Sequence, residues 1–202
     1  MSELPAVGVL ELGSVARGIV VADAMVKAAP VDHLRVGTVQ PGKYLVLVAG
    51  DTASVEEALG VGVGVAGADL LDEVFLPDVH AEVVGALVDR SHRAVPEPEA
   101  LGIVEATGIP ATVVAADAGV KASGAQVAAL ELGDGLGGKG YVLFGGPVAD
   151  VEVAVEAGAA RAGAARLVRA ELVAQLHPEV RRNLDVDLRF SRRIETWGSE
   201  ET

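Results

Sequence analysis

The sequence contains no cysteine, and aromatic residues make up only 3% of its 202 residues. Without cysteine the chain cannot form disulfides, cysteine-ligated iron–sulfur clusters or thiolate zinc sites, which fits a reducing compartment. Half of the residues are hydrophobic, so the core must be built from Ala, Val, Leu and Ile. These small side chains, together with 25 glycines, predict closely packed backbones.

Positive charge is also scarce, because 16 Lys and Arg stand against 29 Asp and Glu and leave a net charge of −13. A field of this sign repels phosphate backbones and anionic lipids, so we expect neither nucleic acid nor a membrane as a partner. No uncharged apolar run approaches the ~18 residues that span a bilayer, and the start of the chain lacks the basic residues of a secretory signal. These features predict a soluble cytoplasmic protein.

The chain repeats itself. Between positions 6 and 28, ten residues are identical to those 94 positions later. The match continues at a shift of 96, where Gly42-Lys43 aligns with Gly138-Lys139, and at 97, where the His-x-Glu-Val at His80 aligns with that at His177. Collinear matches over nearly the whole chain indicate a tandem duplication. We predict copies at residues 5–90 and 100–184, a Pro-containing linker at 91–99 and a polar tail at 185–202.

Each copy is predicted to be α+β, with a four-stranded antiparallel sheet and flanking helices. In the first copy the strands are expected at 7–12, 34–39, 44–48 and 70–76, with helices at about 15–29 and 52–66. In the second copy the strands are expected at 101–106, 127–132, 141–144 and 166–173, with helices at about 109–123 and 148–162. A short helix is expected to close each copy near His80 and His177.

No candidate catalytic, metal or cofactor site is supported by its sequence context. The Gly-rich segment 133–140 superficially resembles a phosphate loop, but it precedes a predicted strand instead of a helix, and no Ser or Thr follows Lys139. The four histidines lack metal-ligand spacing, and no serine lies in a recognisable nucleophile elbow. We therefore predict no enzymatic activity, no metal and no cofactor, and we expect His80 and His177 to serve as caps or interface residues.

The repeated blocks resemble those of bacterial microcompartment shell domains. They are Ala-x-Gly-x-x-Glu, the Ala22–Ala29 block and its counterpart, a glycine-bearing turn, the Val55-Glu56-Glu57-Ala58 helix and the late His-x-Glu-Val, in this order. The first strand comes first in each copy, as in the non-permuted tandem members. The resemblance implies a structural shell protein whose homotrimer imitates a six-domain hexagonal tile. It further implies contacts with other shell proteins, both hexamers and pentamers, and a central pore through which small polar metabolites diffuse.

The resemblance also implies which residues line the pore, namely those of the turn between the second and third strands. These residues are Pro41, Gly42, Lys43, Gly137, Gly138 and Lys139. A positive ring of Lys43 and Lys139 would favour the passage of small anions. Alternatively, they are solvated lysines of ordinary hairpin turns, paired with acids such as Asp51. Some tandem relatives hold an iron–sulfur cluster through a cysteine of this turn, but Pro41 and Gly137 stand there in this chain, so the electron-transfer variant is not expected.

Tile-edge contacts are implied for four residues, Lys27, Lys121, Asp78 and His80. The two lysines also lie four residues after an aspartate, so each can pair with it on the surface of a helix. The family usually carries an arginine just before this histidine, whereas Val79 stands there in this chain. A function of a different class also fits a duplicated α+β chain with an acidic surface. This alternative is a trimeric regulatory protein that binds a small molecule between its subunits.

Overall fold

The computed structural model describes residues 6–89 and 99–186, which form two consecutive α+β domains. Most of the predicted linker, 91–98, and most of the predicted tail, 187–202, lie outside these ranges. The first domain contains β1 (Ala6–Leu12), α1 (Val15–Ala28), β2 (His33–Val39), β3 (Lys43–Gly50), α2 (Thr52–Ala66), a 3-10 turn (Gly67–Asp69), β4 (Leu70–Leu76) and α3 (Ala81–Asp89). The second contains β5 (Ala100–Ala106), α4 (Ile109–Ala122), β6 (Gln126–Leu132), β7 (Gly140–Gly146), α5 (Val148–Ala162), β8 (Leu167–Ala174) and α6 (Pro178–Val186). The predicted α+β duplication is confirmed.

Each domain carries one antiparallel four-stranded sheet, in the order β2-β3-β1-β4 in the first domain and β6-β7-β5-β8 in the second. The strand alternation of β1 places Leu10 and Leu12 on the face that α1 and α2 cover. It places Val7 and Val9 on the opposite face, in one cluster with Val83 of α3. The strand β1 is therefore buried on both faces, which explains why it is apolar at nearly every position.

At one pair of equivalent positions on a helix and a strand, the two domains have exchanged the large and the small side chain. In the first domain Gly18 of α1 lies against Tyr44 of β3, so closely that a Cβ on the glycine would be 2.2 Å from the ring. The counterparts in the second domain are Thr112 and Gly140, and here the glycine belongs to the strand. A Cβ at Gly140 would lie 2.5 Å from Thr112 Oγ1. Both domains thus pack closely, but the bulkier side chain comes from the strand in the first domain and from the helix in the second.

The helix starts also differ between the domains. Ser14 caps α1 by accepting a hydrogen bond from Arg17 N at 3.2 Å. Asp51 caps α2 by accepting one from Ser54 N at 3.0 Å, and hydrogen bonds from the Ser54 side chain and backbone hold the pKa of the Asp51 carboxyl below its usual value. Gly108, at the start of α4, makes no side-chain cap of its own. That helix is capped from the other domain.

Candidate pore and domain-junction site

The two predicted pore loops lie side by side. The β2–β3 turn has three residues, 40–42, and the β6–β7 loop has seven, 133–139. A Cβ at Gly138 would lie 2.8 Å from Pro41 Cδ, so the loops touch across the domain boundary. All five of their glycines have positive φ angles, which glycine adopts without strain: Gly42, Gly133, Gly135, Gly137 and Gly138.

Both loop lysines are ion-paired. Lys43 Nζ donates to Glu11 Oε1 at 2.5 Å, and the pair is shielded, since the two side chains are 21% and 1% exposed. Lys139 pairs with Glu105, and both of these side chains are more exposed. The partners are therefore carboxylates of β1 and β5, and not Asp51, which caps α2. The positive charge of each loop lysine is compensated locally.

The second carboxylate oxygen of Glu11 reaches the other domain. Its Oε2 accepts a hydrogen bond from Ile109 N, at the first residue of α4, at 3.0 Å. The carboxylate thereby satisfies an N-terminal amide of that helix and complements the positive end of its dipole. Gly108 leaves room for it, because a Cβ there would lie 2.9 Å from the same oxygen. Sequence reasoning missed this role, since no local pattern marks a contact between residues 98 positions apart.

The contact between the two domains, called the junction from here on, places α4 against β4 and the loop that follows it. Asp117 of α4 accepts a hydrogen bond from His80 N at 2.8 Å and pairs with Lys121 at 2.7 Å. Lys121 Nζ also donates to Asp78 O. Three of the four predicted tile-edge residues therefore meet inside one chain. The fourth, Lys27, is exposed on α1.

An arginine of the second domain, Arg166, also contributes to the junction. Its Nη2 donates to Leu71 O at 2.8 Å, and its Nε lies 3.4 Å from Asp72 Oδ2. Neither Arg166 nor Asp72 was singled out from the sequence, because a single charged residue near the start of a strand is common on protein surfaces. The strand pairing reveals the signal: the position that holds an aspartate opposite β1 in the first domain holds an arginine opposite β5 in the second.

The two duplicated histidines directly precede the short helices α3 and α6. In each case the imidazole Nδ1 accepts a hydrogen bond from the backbone amide two residues later, Glu82 N for His80 and Glu179 N for His177, at 3.2 Å. This geometry agrees with the predicted capping role. It also orients His80 N toward Asp117 across the junction.

Comparison with known proteins bears on this duplicated architecture. The family profile described as "BMC domain" matches residues 6–79 and again residues 100–176, together more than half of the chain. The chain belongs to the BMC domain family. The two matches end before α3 and α6, so the predicted domain ends at 90 and 184 stay predictions.

Three known proteins are similar to this chain. The bacterial microcompartment shell protein PduT of Citrobacter freundii is 39% identical over 158 residues, which cover 78% of this chain and 85% of that protein. The crystal structure of a microcompartment protein from Desulfitobacterium hafniense DCB is 38% identical, with a TM-score of 0.78, and covers 89% of this chain and 99% of that chain. A fused permuted hexameric shell protein of the RMM microcompartment shares the fold at 18% identity and a TM-score of 0.57, covering 77% of this chain and 82% of that chain. This chain is a tandem BMC-domain protein of the microcompartment shell, and its family role is structural.

The helix side of the junction is buried in one BMC domain and exposed in the other. Val113 of α4 is 0% exposed, whereas its counterpart on α1, Ile19, is 55% exposed. Two further pairs behave alike: Ile109 and Val120 of α4 are buried, while Val15 and Val26 of α1 are exposed. The exposed residues Val15, Ile19 and Val26 are called the helix face from here on.

The strand side of the junction shows the complementary difference. In the first BMC domain Val83, which follows β4, is 0% exposed, while its counterpart after β8, Val180, is 47% exposed. Leu76 is likewise buried, whereas Val173 is exposed. The exposed residues Val173 and Val180 are called the strand face from here on. Each chain thus carries one closed junction and leaves the counterparts of both its sides exposed.

A cavity of about 400 Å³ lies between the first sheet and the second BMC domain. Its walls come from β2, β3, α3 and β6, and they are mostly aliphatic, as in Leu45, Leu47 and Leu130. Charged side chains stand among its lining residues, including Arg35 and Glu131. The composition of the cavity suits a small organic molecule with a polar group.

Within residues 6–89 and 99–186, no group of three or more His, Asp or Glu side chains is arranged to hold a metal ion. Among the helices of the same ranges, none is long and apolar enough to cross a membrane.

Proposed function

We propose that three copies of the chain close head to tail into a ring of six BMC domains, which forms a tile of the shell. The single observation that carries this is the pair of exposed faces, because the helix face and the strand face are counterparts of the surfaces that the intrachain junction buries. A head-to-tail contact between unlike faces generates a ring when its rotation closes. The strand face of one copy then covers the helix face of the next.

Burial supports this arrangement energetically. Large aliphatic side chains such as Ile19 and Val180 are about half exposed in the single chain, and covering such a side chain stabilises a contact by roughly 1 kcal/mol or more. Clustered exposed aliphatic residues mark interaction surfaces. In the junction, side chains at the equivalent positions already share one hydrophobic core.

The ring would bring the loops 40–42 and 133–139 of each copy around one axis, as the predicted pore requires. The three short and three long loops then alternate, so the opening has threefold symmetry. Because Lys43 and Lys139 are paired with carboxylates, we expect the pore to select small polar metabolites by size more than by attraction of anions. Backbone amides of the glycine-rich loops would supply hydrogen bonds to a passing solute.

Contacts between tiles, and with hexameric and pentameric shell proteins, remain proposed for Lys27, Lys121, Asp78 and His80. The ammonium group of Lys27 pairs with Asp23 at 2.6 Å on an exposed helix, and Lys121 is partly exposed at the junction. Both lysines can therefore reach a neighbouring tile while they keep their partners. Val79 in place of the usual arginine leaves these contacts to the lysines.

The molar mass in solution tests the ring. Size-exclusion chromatography with light scattering should give about 61.5 kDa, which is three times the 20.5 kDa chain. The substitution Ile19→Glu places a charge in the helix face and should yield a monomer. Val153→Glu is the matched control, since Val153 is 44% exposed and its counterpart in the first domain is already a glutamate, Glu57. A wild-type monomer, or an Ile19→Glu trimer, contradicts the ring.

The cavity favours a second candidate, a regulatory trimer that binds a small molecule, although the cavity lies within one chain and not between subunits. Lateral association separates the two functions. A shell tile should form sheets or tubes with hexagonal order in electron micrographs, whereas a regulatory trimer should stay a discrete particle and change its thermal stability with a ligand.

A further inference from the structure

We propose that an ion pair between Arg169 of one copy and Asp69 of the next copy closes the junction between chains, as a charge-exchanged counterpart of the intrachain pair. This inference rests on the ring proposed above and adds a residue-level rule for which domains may join. It follows from the ladders of the two sheets and from the contacts of the one junction that the chain itself contains.

The ladders identify the first pair of counterparts. In the first domain Glu11 of β1 lies opposite Asp72 of β4. In the second domain the equivalent Glu105 of β5 lies opposite Arg169 of β8. Asp72 and Arg169 therefore occupy the same position of their domains and carry opposite charges.

Backbone hydrogen bonds identify the second pair. Just before β4, Asp69 O accepts a hydrogen bond from Gly13 N at 2.8 Å. Just before β8, Arg166 O accepts the equivalent bond from Thr107 N, also at 2.8 Å. Asp69 and Arg166 therefore occupy the same position, and they too carry opposite charges.

The intrachain junction brings one member of each pair together. Arg166 of the second domain lies 3.4 Å from Asp72 of the first. When the same contact is repeated between copies, the second domain of one copy offers Arg169 where Asp72 stood, and the first domain of the next copy offers Asp69 where Arg166 stood. Both charges are reversed, so the attraction is kept.

In the single chain these two residues have only weak partners. Asp69 lies 3.5 Å from Arg17, and Arg169 lies 3.8 Å from Glu171, with all four side chains well exposed. Exposed pairs of this kind contribute little to stability. Both residues are therefore available to exchange partners when a second copy approaches.

The opposite charges at equivalent positions of the two domains disfavour a junction between two domains of the same type. A junction between two first domains would set Asp69 against Asp72, and a junction between two second domains would set Arg166 against Arg169. Like charges at such positions disfavour association. The strand face of a second domain is thereby matched to the helix face of a first domain, which is the contact that a ring of three requires.

Glu105 supports the same operation. Its counterpart Glu11 caps α4 through Ile109 N, and the counterpart of Ile109 is Val15, the first residue of α1. Repeating the junction between copies therefore directs the Glu105 carboxylate toward the start of the next copy's α1, where Ser14 stands in place of Gly108, so the carboxylate must shift to make room for the Ser14 Cβ. The greater exposure of the Glu105–Lys139 pair in the single chain fits a carboxylate that is covered on assembly.

Charge reversal and its compensation test the pair on the full chain. Arg169→Asp and Asp69→Arg each set like charges at all three junctions between chains, so a loss of about tenfold per junction becomes about a thousandfold in trimer formation. The double variant restores opposite charges and should recover the trimer. Arg161→Asp, at an exposed arginine of α5 outside the junction, is the control. Circular dichroism checks that each variant is folded, and Arg169→Gln with Asp69→Asn serves if a reversal fails to fold.

The outcomes separate the two proposals. A monomeric wild type overturns the ring and the ion pair together. A wild-type trimer whose single reversals dissociate no more than the control, or whose double variant stays dissociated, overturns the ion pair and leaves the ring intact. Recovery by the double variant alone supports the pair, because a purely structural loss at either residue would add up instead of cancelling.

Discussion

Glu11 is the residue of this shell protein whose side chain connects the two domains through both of its carboxylate oxygens. Its carboxylate holds Lys43 of the pore turn with one oxygen and the start of α4 with the other. One buried side chain thus ties a loop of the first domain to a helix of the second. The duplicate Glu105 keeps the lysine partner but lacks a second domain to cap within its own chain.

Removal of this carboxylate should be costly. In Glu11→Ala the Lys43 ammonium loses its shielded partner and Ile109 N loses its acceptor, so we expect the free energy of unfolding to fall by about 3 kcal/mol. Urea unfolding at one fixed protein concentration measures it. Glu56→Ala, at an exposed position of α2, should change stability by less than about 0.5 kcal/mol. Equal losses in the two variants would show that the junction does not depend on Glu11.

At the scale of secondary-structure elements, the two domains differ in whether the helix or the strand carries the larger side chain at a contact. The Gly18–Tyr44 contact of the first domain becomes Thr112–Gly140 in the second. Similarly, Met25 on α1 and Val48 on β3 correspond to Gly119 on α4 and Phe144 on β7, and a Cβ at Gly119 would lie 2.4 Å from Phe144 Cζ. Helix and strand therefore form a matched unit within each domain, and their side chains are not interchangeable one at a time.

The exchange predicts a compensating pair of substitutions. Gly119→Met inserts a long side chain against Phe144 and should destabilise the chain by about 3 kcal/mol or prevent folding. Adding Phe144→Val reproduces the combination of the first domain and should recover part of that loss, since the backbone oxygen of Ala154, 2.9 Å from the added Cβ, stays in place. Gly60→Ala, on an open part of α2 with no atom within 4 Å of the added Cβ, should instead be neutral or slightly stabilising. Thermal unfolding of the three variants compares them; no recovery in the double variant would count against matched units.

Sequence reasoning located the elements well because each repeats the same glycine and aliphatic pattern twice. The predicted third strand of the first domain was too short. It was expected at 44–48 but runs over Lys43–Gly50, since Gly50 pairs with Ala6 beyond the apolar run. The pore residues were predicted only through the family likeness, and they stay predictions. The junction escaped prediction because its contacts, such as Glu11 to Ile109, connect distant parts of the chain.

At the scale of the whole molecule, the charge state of the loops decides how the proposed pore filters. The neutral double variant Lys139→Gln with Glu105→Gln removes one ion pair without changing the net charge. Because the lysine is already compensated, we expect the flux of a small anion into assembled shells to be unchanged relative to that of a neutral solute of equal size. Gln40→Trp, at an exposed position of the short turn, should narrow the opening and lower both fluxes.

Either measurement can contradict this view. A selective drop in anion flux in the double glutamine variant would restore Lys139 as a source of anion selectivity. Unchanged flux of both solutes in Gln40→Trp would remove the short turn from the permeation path.

In the proposed ring, the closed junction within each chain also changes how assembly depends on protein concentration. At equilibrium, the amount of a ring built from six separate domains would rise with the sixth power of the free domain concentration. For three fused chains it rises only with the third power, because three contacts are intramolecular and form at a high effective concentration. Completion of a tile is then less sensitive to the amount of protein synthesised. Fusion also sets the ratio of the two domain types at one to one in every tile, so the cell needs no separate control of their expression.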